Sequence, residues 1–286
     1  MRKAPRQPPL PNPPKWAKLS PGVSLTLDKS WGATSGDTSS RSRWADSVTS
    51  DLVVKTDNDE HFIKDISDDG LLIVRNNREK PDYFAATFGG HSYVHKHADV
   101  GQMIFWYKGA QFLADPGKYI YGKSAERDRV VSAISHGVID SHPETLHPTD
   151  IQLPRSGSYK TGVSVLEDEV SISLNFSDKS GGAYIRHIEY APSRFLRIRD
   201  IAHRKQGKYV SRLKFNGSLS VEELVEGYQL SDLNSGASLT LSCSAAAIAS
   251  TCPFGLSLAY GEIEPAWVFE VIAESGKLIE WKLTLD

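Results

Sequence analysis

Short apolar runs with residues at alternate positions, broken by glycine, asparagine and aspartate, constrain the fold of this chain most. The segments 195–199 and 281–285 alternate cleanly between apolar and polar residues. A period of two puts successive side chains on opposite faces of a strand, which suits a sheet with one buried face. Only 124–134 and 221–225 indicate helical turns. We therefore expect an all-β protein built as an antiparallel β-sandwich.

The predicted strands follow one another at short spacing, and turn residues separate them. No internal repeat interrupts the series. The predicted strands are 23–27, 51–55, 61–63, 71–75, 83–88, 103–107, 110–114, 163–166, 170–176, 184–190, 195–201, 209–215, 238–242, 267–272 and 278–285.

Length and charge exclude some classes of partner. With 286 residues, the chain can bury a large core. A formal net charge of -2 favours neither nucleic acid nor an acidic membrane as a partner. We expect no membrane span, because no apolar run is long enough to cross a bilayer. The N-terminus lacks the apolar stretch of a secretory signal, and the compartment is therefore not assigned.

The two ends of the chain differ in texture. Residues 1–22 hold seven of the fifteen prolines, and we expect a proline-rich disordered arm there. Residues 23–286 are predicted to form the β-sandwich domain that carries the functional site. The two cysteines, Cys243 and Cys252, could bridge a hairpin, but two unpaired thiols are the favoured interpretation.

The residues suited to chemistry concentrate in 89–140. Six of the nine histidines fall within 91–147. His95 and His97 stand two apart, and we expect both imidazoles on one face of a strand. An imidazole at His95 could bind a substrate carboxylate or take part in proton transfer, which makes His95 the candidate catalytic residue.

Three residues are candidate ligands for a divalent metal such as zinc. They are His97, Asp115 in an Asp-Pro-Gly turn, and the isolated His136. Zinc binds imidazole nitrogen and carboxylate oxygen, and ligands this far apart in sequence would come from separate elements of a folded sheet. A set of unrelated histidines, each satisfied in the core or at the surface, stays open as the alternative.

Substrate-binding candidates follow the Asp-Pro-Gly turn. Tyr119 and Tyr121 stand at alternate positions and could line a sugar-binding surface, and Arg127 could bind an anionic group. Core packing of one tyrosine, and a solvated Arg127 beside Glu126 and Asp128, are the alternatives.

At these positions the sequence resembles the heparinase II/III-like family of polysaccharide lyases. The family's short motifs recur here in the family's order, although each alone is weak. They match Asp69–Arg75, His95–Asp99, Ala114–Gly117, Tyr119, Tyr121, Arg127, Asp128, Ser132, His136, Val138 and Asp140. Two positions depart from the pattern: Gly137 replaces an asparagine and Val131 an arginine. The resemblance covers roughly residues 65–145 well and the following strands loosely.

The resemblance implies cleavage of uronic-acid polysaccharides by β-elimination, and thus an acidic polysaccharide as partner. It implies zinc held by His97, Asp115 and His136, mainly as a support of the site, with His95 facing the substrate. Full enzymes of this family place an α/α toroid with the catalytic tyrosine before the sandwich. Because this chain has no such helical pattern, we expect a fragment, one half of a split enzyme with a separate toroid chain, or a non-catalytic module that binds acidic glycan.

A cupin is the alternative family. The spacing of Gly89, His95, His97, Gln102 and Gly109 follows the first cupin motif, with glutamine in place of the usual glutamate. A cupin would bind its metal through His95, His97 and a later histidine, on a small barrel.

Overall fold

A computed structural model describes residues 52–56, 59–66, 70–76, 79–166 and 169–286 of the chain. All of them belong to one compact unit, Asp46–Asp286. The predicted arm at 1–22 and the predicted strand at 23–27 lie outside the described residues.

The described part consists mainly of strands, which we number in chain order. Its helical elements are α1 (Ala125–Val131) and a 3-10 turn (Ala133–Ser135). The strands are β1 (Leu52–Thr56), β2 (Asp59–Ile66), β3 (Leu71–Arg75), β4 (Tyr83–Thr87), β5 (Met103–Tyr107), β6 (Ala110–Leu113), β7 (Ile139–His142), β8 (Lys160–Leu166), β9 (Glu169–Ser177), β10 (Ala183–Ala191), β11 (Phe195–His203), β12 (Lys208–Asn216), β13 (Ser220–Leu224), β14 (Gly227–Ser231), β15 (Ser238–Cys243), β16 (Ile248–Leu256), β17 (Glu264–Glu274) and β18 (Ile279–Leu285).

These strands form two antiparallel sheets. The larger sheet has the order β1-β2-β3-β4-β5-β6-β12-β17-β16, and β7 pairs with β12 beside that path. The smaller sheet has the order β13-β14-β15-β18-β11-β10-β9-β8. The prediction of an all-β antiparallel sandwich is therefore confirmed. The small barrel expected for the cupin alternative is absent from the described residues, whose strands form two antiparallel sheets.

The alternating sequence pattern explains how the two sheets share one core. On β11, Leu196, Ile198 and Ala202 point inward and are fully buried. Inward residues of both sheets belong to the same hydrophobic cluster, including Phe105 from the larger sheet and Trp281 from the smaller one. Burial of these alternate apolar side chains is the main force that holds the sheets face to face.

Two local predictions were wrong. The segment 221–225, predicted as a helical turn, lies largely in β13, which pairs with β14 through a tight connection that ends at Gly227. Gly227 has φ +132°, a conformation that glycine adopts without strain. The pair His95 and His97 lies in the loop between β4 and β5, not on a strand. His95 takes φ +59° there, so the two imidazoles do not share a strand face.

Other predictions agree with the structure. β3 and β5 begin and end where 71–75 and 103–107 were predicted, and the turns predicted within 124–134 are α1 and the 3-10 turn. Both cysteines are unpaired, with Cys243 on β15 of the smaller sheet and Cys252 on β16 of the larger one. Among the described residues, helices are all too short or too polar to cross a bilayer.

Candidate functional site

Three separate elements of the larger sheet bring the predicted metal ligands together. His97 lies in the β4–β5 loop, Asp115 follows β6, and His136 lies between the 3-10 turn and β7. His136 Nδ1 is 3.3 Å from Asp115 Oδ2, and the ring centroids of His97 and His136 are 5.3 Å apart. Residues distant in sequence thus form one cluster, which we call the imidazole–carboxylate cluster.

His136 is fully buried and oriented through its other ring nitrogen. Its Nε2 lies 3.1 Å from the backbone oxygen of Val130, a contact that a protonated Nε2 donates. A proton on Nε2 leaves Nδ1 of a neutral ring as an acceptor, and this buried atom has no hydrogen-bond donor. It faces Asp115 Oδ2, a second acceptor. A proton or a metal cation between these two atoms would satisfy both of them.

His97 is held in its neutral form. Burial, followed by repulsion from His136, lowers the pKa of His97 from 6.5 to about 4. Arg127 Nη1 lies 3.0 Å from His97 Nε2 and also donates to the backbone oxygen of Lys118 at 3.0 Å. Ser124 caps α1 by accepting from the backbone N–H of Arg127, which places Arg127 in the first helical turn. The helix start therefore positions Arg127 against His97.

Asp115 remains ionised beside the two rings. Burial alone would raise the pKa of Asp115, but a proton on His136 Nδ1, 3.3 Å from Asp115 Oδ2, lowers it by hydrogen bond and charge; with further help from His97, the net shift is a lowering. Asp115 Oδ1 also accepts from the backbone N–H of Gly117 at 2.8 Å, which closes the Asp-Pro-Gly turn. The turn thus aims one carboxylate oxygen at the backbone and the other at His136.

Two atoms of the cluster are chemically suited to bind a cation. His136 Nδ1 and Asp115 Oδ2 suit two ligands of a cation, because both are acceptors that face each other. His97 Nε2 contacts the guanidinium of Arg127 instead. Accordingly, no group of three histidine, cysteine, aspartate or glutamate side chains within the described residues is arranged to hold a metal ion. The zinc assignment stays a prediction.

Four buried polar side chains hold the segment around His136, and we call them the back wall: Gln102, Arg186, Arg212 and Lys214. Lys214 Nζ donates to the backbone oxygen of Ser135 at 2.6 Å, and Arg212 Nη1 donates to that of Ala133 at 2.9 Å. Burial lowers the pKa of Lys214 from 10.5 to about 8. Lys214 thus gives the oxygen of Ser135 a donor, and Arg212 adds a second donor to the oxygen of Ala133, which also accepts from the N–H of His136 at 3.0 Å.

Gln102 connects two members of the cluster through their neighbours. Its Oε1 accepts from the N–H of Gly137 at 2.6 Å, and its Nε2 donates to the backbone oxygens of Ala114, at 3.2 Å, and Met103, at 2.7 Å. Gly137 directly follows His136, and Ala114 directly precedes Asp115. The residue that occupies the cupin glutamate position is therefore a backbone clamp in this protein.

Arg186 connects the smaller sheet to the same segment. It forms a bidentate pair with Asp200, with Nε–Oδ1 at 2.8 Å and Nη2–Oδ2 at 2.6 Å. Its Nη1 donates to the backbone oxygens of Gly101, at 2.9 Å, and Gly137, at 2.5 Å. A Cβ at Gly101 would lie 2.9 Å from Arg186 Cδ, and Gly101 has φ +80°, so this position requires glycine.

The family departure at Gly137 has a local reason. A Cβ there would lie 3.2 Å from the backbone nitrogen of Lys214 and 3.6 Å from Gln102 Oε1. The first distance is tight, so a side chain at Gly137 would push against β12. The glycine therefore lets the segment with His136 approach the larger sheet closely.

The remaining predicted residues, His95, Tyr119 and Tyr121, lie at the surface beside the cluster. Together with Lys118 and Tyr260 they form a group that we call the front rim. The ring centroids of His95 and Tyr121 are 6.0 Å apart, and Tyr121 is 60% exposed. Tyr119 takes φ +62°. Left-handed conformations at non-glycine residues such as His95 and Tyr119 are uncommon and concentrate at functional sites.

Tyr260, like Lys118, is a rim residue that was not predicted. It lies in the β16–β17 loop, and its ring centroid is 6.4 Å from that of Tyr121. An exposed aromatic residue just before a turn glycine, Gly261, was the available signal. Its position far along the chain gave no reason to place it beside Tyr121.

The fold is an antiparallel β-sandwich of the kind found in heparinase III structures. No family model and no curated protein sequence matches the chain. Among solved structures, the chain is similar to the heparan sulfate lyase HepC from Pedobacter heparinus, with a TM-score of 0.63 and 14% identity. That match covers 78% of this chain and 36% of HepC.

Two further heparinase III structures show the same partial likeness. The BT4657 gene product matches with a TM-score of 0.62 and 15% identity, over 78% of this chain and 35% of its own. Another heparinase III matches with a TM-score of 0.63 and 11% identity, over 78% of this chain and 36% of its own. The chain spans little more than a third of these proteins, so the resemblance predicted from the motifs is confirmed for one part of them, at the level of the fold.

Proposed function

We propose that this chain is the sandwich part of a heparinase-like lyase that cleaves an acidic, uronic-acid-containing polysaccharide by β-elimination. The observation that carries the proposal is that His97, Asp115 and His136 meet in a heparinase-like sandwich, with His95 two residues before His97 and in ring contact with Tyr121. The motifs that suggested the family are far apart in sequence, and they meet at one place.

Four residues beside the cluster have a role in this proposal: His95, Arg127, Tyr119 and Tyr121. β-Elimination removes a proton next to a carboxylate, and a cation or hydrogen-bond donor at that carboxylate acidifies the proton. Arg127 is the proposed donor to the carboxylate, and the exposed His95 imidazole is the proposed proton-transfer group. Tyr119 and Tyr121 are proposed to contact the sugar rings.

Zinc is proposed at His97, Asp115 and His136, as a support of the site and not as the agent of bond cleavage. The buried acceptor Nδ1 of His136, facing Asp115 Oδ2, supports this. Arg127 would have to leave His97 Nε2 for the third ligand to form.

Metal analysis of purified protein tests the proposal. We expect bound zinc in the wild-type protein, and loss of zinc in His97→Ala and Asp115→Ala but not in His203→Ala. Equal metal content in all four proteins would remove the site.

The catalytic helical half is proposed to lie outside this chain, as a separate α/α-toroid chain or as another segment of a longer protein. The limited coverage of the heparinase III structures supports this division. The test follows ultraviolet absorbance of unsaturated uronides formed from heparan sulfate and alginate. We expect absorbance to rise when a helical toroid partner is added. The rate of this rise should be much lower for His95→Ala and unchanged for His203→Ala, a substitution of an exposed histidine on β11. No rise with any partner or uronan would contradict the lyase assignment.

A non-catalytic module that binds acidic glycan is the second candidate. The same partial coverage favours it, because this β-sandwich chain matches only 36% of HepC. Retention of the chain on immobilised heparan sulfate, without any absorbance change in the presence of a toroid, would favour this candidate over the lyase.

A further inference from the structure

Two loops of the larger sheet are joined beside the imidazole–carboxylate cluster. Gly117 forms a parallel bridge with Ser257, and the N–H of Ser257 donates to the backbone oxygen of Pro116 at 2.8 Å. The N–H of Gly261 donates to the backbone oxygen of Tyr119 at 3.0 Å. Gly117 has φ +75°, and a Cβ there would lie 2.4 Å from the oxygen of Ser257. The loop with Tyr121 and the β16–β17 loop are thus fixed to each other.

This junction places two exposed aromatic rings side by side. The Tyr121 and Tyr260 centroids are 6.4 Å apart, and the ring planes are inclined by only 32°. Tyr121 is 60% exposed, Tyr260 is 69% exposed, and the neighbouring Leu258 is 61% exposed. Large apolar side chains exposed together mark binding surfaces, whereas single ones are ordinary. The two tyrosines form a platform open to solvent.

A cation and an imidazole border the platform. Lys118 Nζ lies 3.7 Å from the centroid of Tyr121 and contacts the Tyr121 hydroxyl. The ring of His95 meets Tyr121 edge-on. Aromatic faces bind apolar faces of a ligand, and an ammonium group at their edge binds an anion. The platform therefore suits a ligand with both an apolar ring face and a negative charge.

We propose that Tyr121 and Tyr260 form a subsite that stacks one sugar ring of an anionic oligosaccharide, and that Lys118 binds the carboxylate or sulfate of that ring. This inference rests on the proposed function and adds Tyr260 and Lys118 to its binding residues. Arg127 connects the platform to His97, because its guanidinium contacts both His97 and the carbonyl of Lys118. The subsite thus continues the surface that leads to the cluster.

Calorimetric titration of the whole chain tests the subsite with three tetrasaccharides. The probes are a heparan sulfate tetrasaccharide, the unsulfated heparosan tetrasaccharide, and neutral cellotetraose. Tyr260→Ala should weaken binding of the charged probe roughly tenfold, as loss of a binding-site aromatic does, while Tyr260→Phe retains it. Leu233→Ala, a change at an 82% exposed position in the β14–β15 loop, is the control and should bind like the wild type.

Lys118→Gln separates the two sources of charge. Weaker binding of heparan sulfate alone assigns the lysine to sulfate, and weaker binding of both charged probes assigns it to the carboxylate; either result supports the subsite. Unchanged binding of both overturns the role of Lys118.

Several outcomes overturn the platform. Equal affinity of Tyr260→Ala and the wild type for the charged probes overturns it and leaves the proposed function intact, because glycan binding persists. Lack of binding by the wild type overturns both. Tighter binding of cellotetraose than of the charged probes overturns the anionic ligand. If Tyr260→Ala weakens binding of an α/α-toroid chain but not of the oligosaccharide, the two tyrosines form a protein interface and not a sugar subsite.

Discussion

The back wall and the front rim meet at the imidazole–carboxylate cluster, and they differ in how their polar groups are satisfied. Gln102, Arg186, Arg212 and Lys214 are buried, and each one bonds to specified backbone oxygens or N–H groups. On the rim, Tyr121 and Tyr260 are more than half exposed, and His95 takes a left-handed conformation. The wall fixes the positions of His136 and Asp115, whereas the rim leaves groups open to a ligand. Substitutions in the wall should thus affect stability, and those in the rim should affect binding.

Arg186 should give the largest effect on stability. Arg186→Met leaves Asp200 buried without its guanidinium and removes the donor to Gly101 and Gly137, so we expect a loss of about 3–5 kcal/mol in the free energy of unfolding. Arg199→Met, on the outer face of the same sheet, breaks pairs with Glu189 and Glu280 that are partly exposed. It should cost at most about 1 kcal/mol. Chemical denaturation measures both. Equal losses would contradict the division between wall and surface.

His97 should make stability depend on pH. The pKa of His97 is about 4 in the folded protein and 6.5 in the unfolded chain, so the unfolded chain binds the proton first as pH falls. The contribution of the neutral His97 ring to the free energy of unfolding is fully present above pH 6.5. It is lost as pH falls towards 4, and the loss is at most about 3 kcal/mol. We expect His97→Gln, but not the exposed His203→Gln, to flatten this part of the stability profile in chelator-treated protein. The same slope in both variants would contradict a buried neutral His97.

A substitution at Gln102 tests whether this position clamps the backbone or binds a metal, as the glutamate of the cupin motif does. Gln102→Glu replaces the amide donor with an acceptor that faces the backbone oxygens of Met103 and Ala114. We expect a loss of about 1–3 kcal/mol in unfolding free energy. Gln152→Glu, which removes a single donor bond at an exposed position, should change stability by less than about 0.5 kcal/mol. A more stable Gln102→Glu variant with increased metal content would contradict the role of Gln102 as a backbone clamp.

Tyr260 should give the smallest effect on stability. Its ring is 69% exposed, so Tyr260→Ala should stay within about 0.5 kcal/mol of the wild type in chemical denaturation. A larger loss would show that Tyr260 contributes to stability and would contradict its assignment to the rim.

The sequence predicted much of the fold, because alternation reports directly on a sheet with one buried face. β3, β5 and β11 are such cases, since each pairs with close neighbours in the chain. The β13–β14 hairpin was missed as a hairpin because exposed residues such as Glu222 and Glu223 lack the apolar period of a half-buried strand. Edge strands with little burial leave little signal in a sequence.

The candidate site was predictable only in part. Asp-Pro-Gly and the isolated histidines identified Asp115 and His136, since turns and unusual residue types are visible locally. The prediction that His95 and His97 share one face of a strand was wrong. A left-handed conformation at a histidine has no signature in the sequence, whereas one at a glycine does. The buried bonds of Arg186 and Gln102 depend on register between distant strands, and alternation does not specify that register.

One measurement tests most directly whether the rim and the cluster form the functional face. Backbone amide chemical shifts of the full chain can be followed by NMR as a heparan sulfate tetrasaccharide is added. We expect the shifts to change in the loops with His95, Tyr121 and Tyr260, and to stay constant on the outer face of the smaller sheet around Phe195. Changes confined to the surface around Phe195, with the three loops unaffected, would contradict the assignment.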